Sequence, residues 1–168
     1  MNLIVAADKN WAIGKNGNLL VNIPADRQLF VKETTGKVII MGRKTLESLP
    51  GGVPLAKRRN LVLSENPDYK VKGAEVCGSI EEALALVADC ANEDIFVIGG
   101  DSIYRQFLPY CSTAHVTWVD YAYDGDTFFP NLEKDPEWRL AEESDEQTYF
   151  DLCYCFRRYE RIGAPRER

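Results

Sequence analysis

Four short apolar runs do most to limit the folds open to this chain: Leu3–Ala7, Val38–Met41, Leu61–Leu63 and Ile95–Ile98. They show no polar alternation, and most run straight into Gly or Ser. Runs of this kind suggest strands buried on both faces of a sheet. Helical stretches lie between them. Pro24 to about Thr34 is one, with Pro24 suited to the first turn, where its missing N–H is no loss. Ser79-Ile80-Glu81-Glu82 is a capping-box start, with apolar spacing on to about Val87. A third runs from about Asp101 to Phe107 and stops before Pro109. Strands alternating with helices over short connections predict an α/β fold: a mostly parallel sheet with helices on both faces.

The C-terminal third reads differently. His115–Tyr121 is rich in β-branched and aromatic residues. Phe150, Leu152, Tyr154 and Phe156 alternate with Asp151, Cys153, Cys155 and Arg157. Trp138–Glu142 is predicted to pair with that run as an antiparallel hairpin across Ser144–Thr148. Residues 1–160 are read as one domain, and 161–168 as a polar tail that frays.

A chain of 168 residues suits a single domain with a real core. No apolar run approaches transmembrane length, so no membrane role is expected. Met1–Asp8 reads as a first strand rather than a signal peptide. The five cysteines are scattered or sit at 153 and 155 in a strand pattern; with one histidine and no Cys-x-x-Cys pair, no metal site is expected. Reduced thiols and a cytoplasmic location fit that usage. The net charge of −6 argues against nucleic acid as a partner. An anionic ligand would have to be held by local cations and backbone N–H groups.

Two strand ends run directly into helix starts: Met41-Gly42-Arg43-Lys44-Thr45 and Ile98-Gly99-Gly100-Asp101-Ser102. In an open α/β sheet, ligands bind beyond the carboxyl ends of the strands. Each site offers free N–H groups at a positive helix terminus, suited to phosphate. Either alone is also ordinary turn chemistry; the pair points to a dinucleotide, although no G-x-G-x-x-G is present. Ile23-Pro24-Ala25-Asp26-Arg27-Gln28-Leu29-Phe30 puts a carboxylate at a helix start, on one face with Phe30. Asp26 either complements the helix dipole or serves a buried site. Lys9–Ile23 is read as one long loop in which apolar Trp11, Ile13, Leu19 and Leu20 accompany Gly14, Asn16, Gly17 and Asn18, as in a lid. Lys57-Arg58-Arg59 is a basic triplet of the kind that is usually solvated. Thr117 is an ordinary β-former on its strand.

In this order and spacing, these segments, with Leu46-Glu47-Ser48, Tyr104 and Gly125-Asp126-Thr127-Phe128-Phe129-Pro130, resemble dihydrofolate reductase of the bacterial chromosomal type, from about Leu3 to Tyr159. The resemblance implies an eight-stranded sheet, parallel except for its C-terminal strand. It implies NADPH-dependent reduction of dihydrofolate, a monomer, and antifolate inhibitors as further ligands. Asp26, Leu19 and Thr117 would serve catalysis: Asp26 would hold the pterin, Thr117 would bond Asp26 and the pterin amino group, and Leu19 would cover the site. Ile4, Val5, Arg27, Phe30, Leu49, Leu55 and Ile98 would meet the substrate. Arg58 would pair with the glutamate tail of folate, leaving Lys57 and Arg59 as surface charges. Ala6, Ile13, Gly14, Asn18 and Leu19 would line the nicotinamide side, with Tyr104 approaching it. Gly42, Arg43, Lys44, Thr45, Leu63, Ser64 and Glu65 would meet the rest of the cofactor. So would Ile98, Gly99, Gly100, Asp101, Ser102 and Ile103, with Gly99-Gly100 joined by a cis peptide.

The chain departs from the family's pattern at several points. Leu19-Leu20-Val21 stands where a Met-Pro-Trp is common, so Val21 offers no indole N–H. Arg27 replaces an apolar residue. Glu65 would repel a 2′-phosphate, and Ser102 replaces an arginine. Two alternatives are a pyrimidine reductase of riboflavin synthesis on the same fold and a non-catalytic pterin- or nucleotide-binding protein.

Overall fold

The computed structural model describes residues 1–168. The elements in chain order are β1 (Asn2–Asp8), β2 (Ala12–Lys15), β3 (Asn18–Leu19), α1 (Pro24–Thr34), β4 (Val38–Gly42), α2 (Arg43–Ser48), β5 (Arg59–Leu63) and β6 (Ala74–Cys77), then α3 (Ile80–Leu86), β7 (Ile95–Gly99), α4 (Asp101–Phe107), β8 (Thr113–Val119), β9 (Thr127–Phe128), β10 (Trp138–Glu143), β11 (Gln147–Tyr149) and β12 (Leu152–Arg161). The main sheet runs β10-β12-β8-β1-β7-β4-β5-β6, with β11 also paired to β12. From β8 through β6 every pairing is parallel. β12 runs against β8, β10 and β11. This is the fold class expected from the four apolar runs.

Those runs are apolar throughout because both faces of the sheet are covered. Alternate residues of β1 and β4 divide between two clusters: Leu3, Val5, Val38 and Ile40 join one, and Ile4, Ile39 and Met41 the other. α3 and α4 cover the first face with Ala83, Leu84, Tyr104 and Phe107. α2 covers the second with Leu46, beside Phe30 from α1. α3 starts as its capping box predicts: Ser79 accepts from the Glu82 N–H, while the Glu82 carboxylate reaches back to the Gly78 N–H at 2.8 Å. α1 ends where Thr34 and Thr35 turn their hydroxyls onto the Phe30 and Val31 carbonyls, at 2.7 and 2.6 Å.

Three expectations change. Lys9–Ile23 is not one loop: β2 and β3 form a hairpin, and β9 joins it as the other edge of a small sheet ordered β3-β2-β9. Trp11 and Ile13 belong to the buried core rather than to a lid. The C-terminal hairpin does not turn at Ser144–Thr148. Glu143 pairs with Arg157 and Tyr149 with Leu152, so the chain reverses at Phe150-Asp151, where Phe150 takes φ 54°. The segment from residue 161, read as a fraying tail, begins inside β12 and stays on the body. Arg161 donates to the Leu108 and Cys111 carbonyls and lies over the Trp138 ring; Arg168 donates to the Val87 and Cys90 carbonyls.

Candidate active site

The carboxyl ends of the parallel strands open onto one crevice, and α1 brings a carboxylate to it. Ile23, the residue before the helix, is buried, and Pro24 starts the first turn. That anchor turns Asp26 inward to β8, where the Thr117 hydroxyl donates to its Oδ1 at 2.6 Å. Thr117 is only 2% exposed, and its register partners are Ala6 on β1 and Phe156 on β12. Burial raises the affinity of Asp26 for its proton, and the Thr117 hydrogen bond opposes that shift. No cation pairs with Asp26. A half-buried carboxylate with one short neutral partner is suited to accept N–H donors from a ligand. Behind the pair, a groove of about 490 Å³ runs between α1, β8 and the β10–β12 edge, past Leu29, Glu33, His115 and Arg158.

On the α1 side the structure brings Phe30, Leu49, Leu55 and Ile98 against a cluster containing Ile4. Arg58 lies over the Phe30 ring at 5.7 Å. Its Nε donates to Thr34 Oγ1 at 2.9 Å, one terminal nitrogen to the Ala56 carbonyl at 3.1 Å and the other to Thr35 Oγ1 at 3.5 Å, and it has no acidic partner. Its neighbour Arg59 is not a plain surface charge. It forks onto Glu75 of β6 at 2.6 and 2.9 Å and also reaches the Leu86 carbonyl. Lys57 is exposed. Arg27 points away to solvent and joins neither group. Val5 is buried on the opposite face.

On the other side, Ala6, Ile13, Leu19, Leu20, Val21 and Tyr123 line one cleft. Leu19 itself is 80% exposed, so its side chain covers little here. Asn18 is exposed at the hairpin tip, where it pairs with Lys15, and Leu19 pairs with Gly14. Gly125 comes so close to the hairpin that a Cβ there would stand 2.7 Å from Ala12 Cβ; only glycine fits. Tyr104 is buried and donates to the Ile4 carbonyl at 2.7 Å, so that carbonyl already holds one partner. Burial pushes the Tyr104 phenol pKa well up, which keeps it a donor.

The two strand-to-helix junctions each place a glycine directly before a helix. Gly42 and Gly100 stand before α2 and α4 with no side-chain cap, which leaves first-turn N–H groups free. The Gly99-Gly100 peptide is cis, and Gly99 has φ 133°, a backbone that side chains rarely adopt. A Cβ at Gly99 would meet Thr45 Oγ1 and Tyr104 Oη only at ordinary contact distance, 3.4 and 3.5 Å, so the backbone rather than the space calls for glycine. One at Gly42 would meet Ile103. Arg43 is engaged by Glu47 through both carboxylate oxygens, at 3.0 and 3.1 Å, and Lys44 is exposed. Leu63 ends β5 half-buried, Ser64 just after it is half-buried too, and Glu65 beyond them is exposed. Asp101 and Ser102 are exposed, and Ser102 accepts from Gln106. These groups suit a nucleotide with phosphates at the glycine junctions.

Sequence reasoning passed over Asp8, taking it only as the end of the first run. It is a buried carboxylate that accepts three backbone N–H bonds. The spacing Asp8-Lys9-Asn10 carries the signal of an Asx turn, which could have flagged it. Thr34, which orients Arg58, had no comparable signal.

A crevice at a parallel sheet's carboxyl ends, with paired N–H-rich glycine junctions and a half-buried carboxylate, defines a nucleotide-dependent enzyme of the open α/β class. A family model described as dihydrofolate reductase matches residues 1–161. The dihydrofolate reductase of Staphylococcus haemolyticus is 39% identical over 166 residues, covering 96% of each chain. That of Neisseria gonorrhoeae is 41% identical over 146 residues, covering 87% of this chain and 88% of its own. Among solved structures, dihydrofolate reductase from Enterococcus faecalis complexed with NADP(H) and RAB-propyl superposes with a TM-score of 0.84 at 31% identity, covering 96% of each chain. The chain belongs to the dihydrofolate reductase family.

Proposed function

We propose that this protein reduces 7,8-dihydrofolate to 5,6,7,8-tetrahydrofolate with NADPH. The observation that carries the reading is the Asp26–Thr117 pair, a half-buried carboxylate with a 2.6 Å bond, opposite two free helix N-termini in a chain of this family. NADPH supplies the hydride to C6 of the pterin when bound, and N5 takes a proton from water. Asp26 accepts the pterin amino group and ring N–H, and its negative charge raises the proton affinity of N5. Thr117 fixes the carboxylate. Phe30, Leu49, Leu55 and Ile98 exclude water along the ligand, and Arg58 takes the tail carboxylate, a task suited to a planar guanidinium. The N–H groups after Gly42 and Gly100, with Arg43, Lys44 and Thr45, hold the cofactor phosphates. Ala6, Ile13, Gly14 and Tyr104 bound the nicotinamide side. The protein works as a cytoplasmic monomer on small molecules, antifolates among its ligands, with no nucleic-acid or membrane partner. No helix is long and apolar enough to cross a membrane.

The test is loss of the reduced-nicotinamide absorbance band on mixing protein, dihydrofolate and NADPH. Tight pteridine binding without turnover would identify a binding protein. Turnover of a ribosylated pyrimidine in place of dihydrofolate would identify the other reductase of this fold. Nothing in the site favours either.

A further inference from the structure

Resting on that reading, we propose that Asp8 is a positioning residue. Its buried carboxylate holds the β2–β3 hairpin and the loop into β9 together as one wall beside the end of β1, and that wall sets cofactor affinity.

Asp8 ends β1 and is 1% exposed. Its Oδ1 accepts from the Asn10 and Ala12 N–H groups at 2.8 and 2.9 Å, and its Oδ2 from the Tyr123 N–H at 2.8 Å. No salt bridge involves it; its partners are the three backbone N–H groups. One oxygen therefore serves the start of the hairpin and the other serves the distant loop. A carboxylate accepts at both oxygens, whereas an amide must turn an NH₂ toward one of the two loops.

The bonds at Asn10 and Ala12 bracket Trp11, whose φ is 63°. A bulky residue keeps that backbone only where its surroundings over-determine it. Here Trp11 N–H also bonds the Asp8 carbonyl at 2.9 Å. Its ring stacks on Phe129 and tilts against Tyr159. The turn thus drives Trp11 into the core and launches β2 across the crevice. The seam continues beyond Tyr123: Gly125 packs on Ala12, and the Asp126 N–H bonds the Gly14 carbonyl at 3.0 Å. Asp8 and Tyr123 line the same cleft as Ala6, Ile13 and Leu19. Releasing either loop from Asp8 displaces that lining, while Asp26 and Arg58 are held by other elements.

The experiment measures NADPH and dihydrofolate affinities by calorimetry for the unmodified protein and for Asp8→Asn. Loss of one hydrogen bond to a charged group predicts NADPH binding weaker on the order of tenfold, with dihydrofolate binding unchanged. A purely structural carboxylate would weaken both ligands alike, and that outcome overturns the proposal. Amide exchange in the unmodified protein gives a second reading that needs no variant to fold. The Ala12 and Tyr123 amides should open together, and NADPH should slow both. Independent opening of the two amides, or indifference to NADPH, overturns it. If the unmodified protein fails to bind NADPH, the functional reading falls and this inference with it. If it binds NADPH and the variant binds it equally well, only the inference falls.

Discussion

Asp26→Asn keeps the shape of the side chain and removes its charge, so it separates chemistry from architecture. The amide oxygen still accepts from Thr117, whose hydroxyl stands 2.6 Å from the carboxylate, and the site should keep its form. What is lost is the charge that favours a proton at N5. Turnover at neutral pH should fall on the order of 10²–10⁴-fold, the usual range for lost acid–base help. That corresponds to about 3–5 kcal/mol of barrier. Stability should move the other way. Burial is the dominant cause at Asp26 and raises its pKa in the folded state above the ordinary value of 3.8. A raised pKa contributes stability that is fully present below the unfolded value and is lost as pH rises through the folded one. At neutral pH the ionised carboxylate therefore costs stability, and the amide removes that cost. The variant should melt higher than the parent at neutral pH, and the difference should close as pH falls into the ordinary carboxylate range. The activity deficit should narrow over the same descent, because solution then protonates the substrate before it binds. Rate profiles against pH, beside thermal melts in the same buffers, read both effects. Near-normal turnover at neutral pH, or a deficit that does not narrow in acid, would refute the catalytic role. A variant that melts lower at neutral pH would refute the burial argument.

Arg58→Leu should weaken dihydrofolate by roughly 2–5 kcal/mol, as when one partner of a charge pair is lost. A pterin without the glutamate tail should be indifferent, and equal losses for both ligands would remove Arg58 from the tail site. Glu65→Arg puts a cation where an exposed acid now stands beyond β5, and should lower the Michaelis constant for NADPH more than that for NADH; parallel changes would show that Glu65 does not face the 2′-phosphate. Tyr104→Phe removes the 2.7 Å bond to the Ile4 carbonyl and should cost about 0.5–1.5 kcal/mol in urea unfolding. An unchanged midpoint would mean that another donor replaces the phenol.

The strands and helix starts were legible because their signals are local. An uninterrupted apolar run such as Val38–Met41 can only be satisfied between two layers, and Pro24 or Ser79-Ile80-Glu81-Glu82 marks a helix within a few residues. The glycine junctions were legible for the same reason: a strand that stops at Gly and resumes as a helix exposes N–H groups wherever it sits. The Lys9–Ile23 segment misled because one of its two pairing partners is remote. β2 pairs locally with the two-residue β3, and its other edge is filled only when Thr127–Phe128 arrives beside it, more than a hundred positions later. The turn at Phe150-Asp151 was missed because cross-strand register, not turn residues, sets it.

The candidate site divides along the same line. The local pattern tells that an acid opens α1, that Phe30 shares its face, and that β4 ends on Gly42 with two cations, Arg43 and Lys44, directly after it. It did not determine what those groups touch. Thr117 meets Asp26 because β8 lies beside β1, a neighbour relation of the sheet. Arg58 and Arg59 are adjacent in sequence yet face different partners, Thr34 of α1 and Glu75 of β6, since only the second begins a paired strand. Asp8 looked like the polar end of a run and is instead a buried acceptor joining two loops. Local patterns fix an element's conformation through nearby backbone and side-chain chemistry. Partners, burial and the pKa shifts that follow from them depend on which distant segments close around a side chain, and only the folded chain decides that.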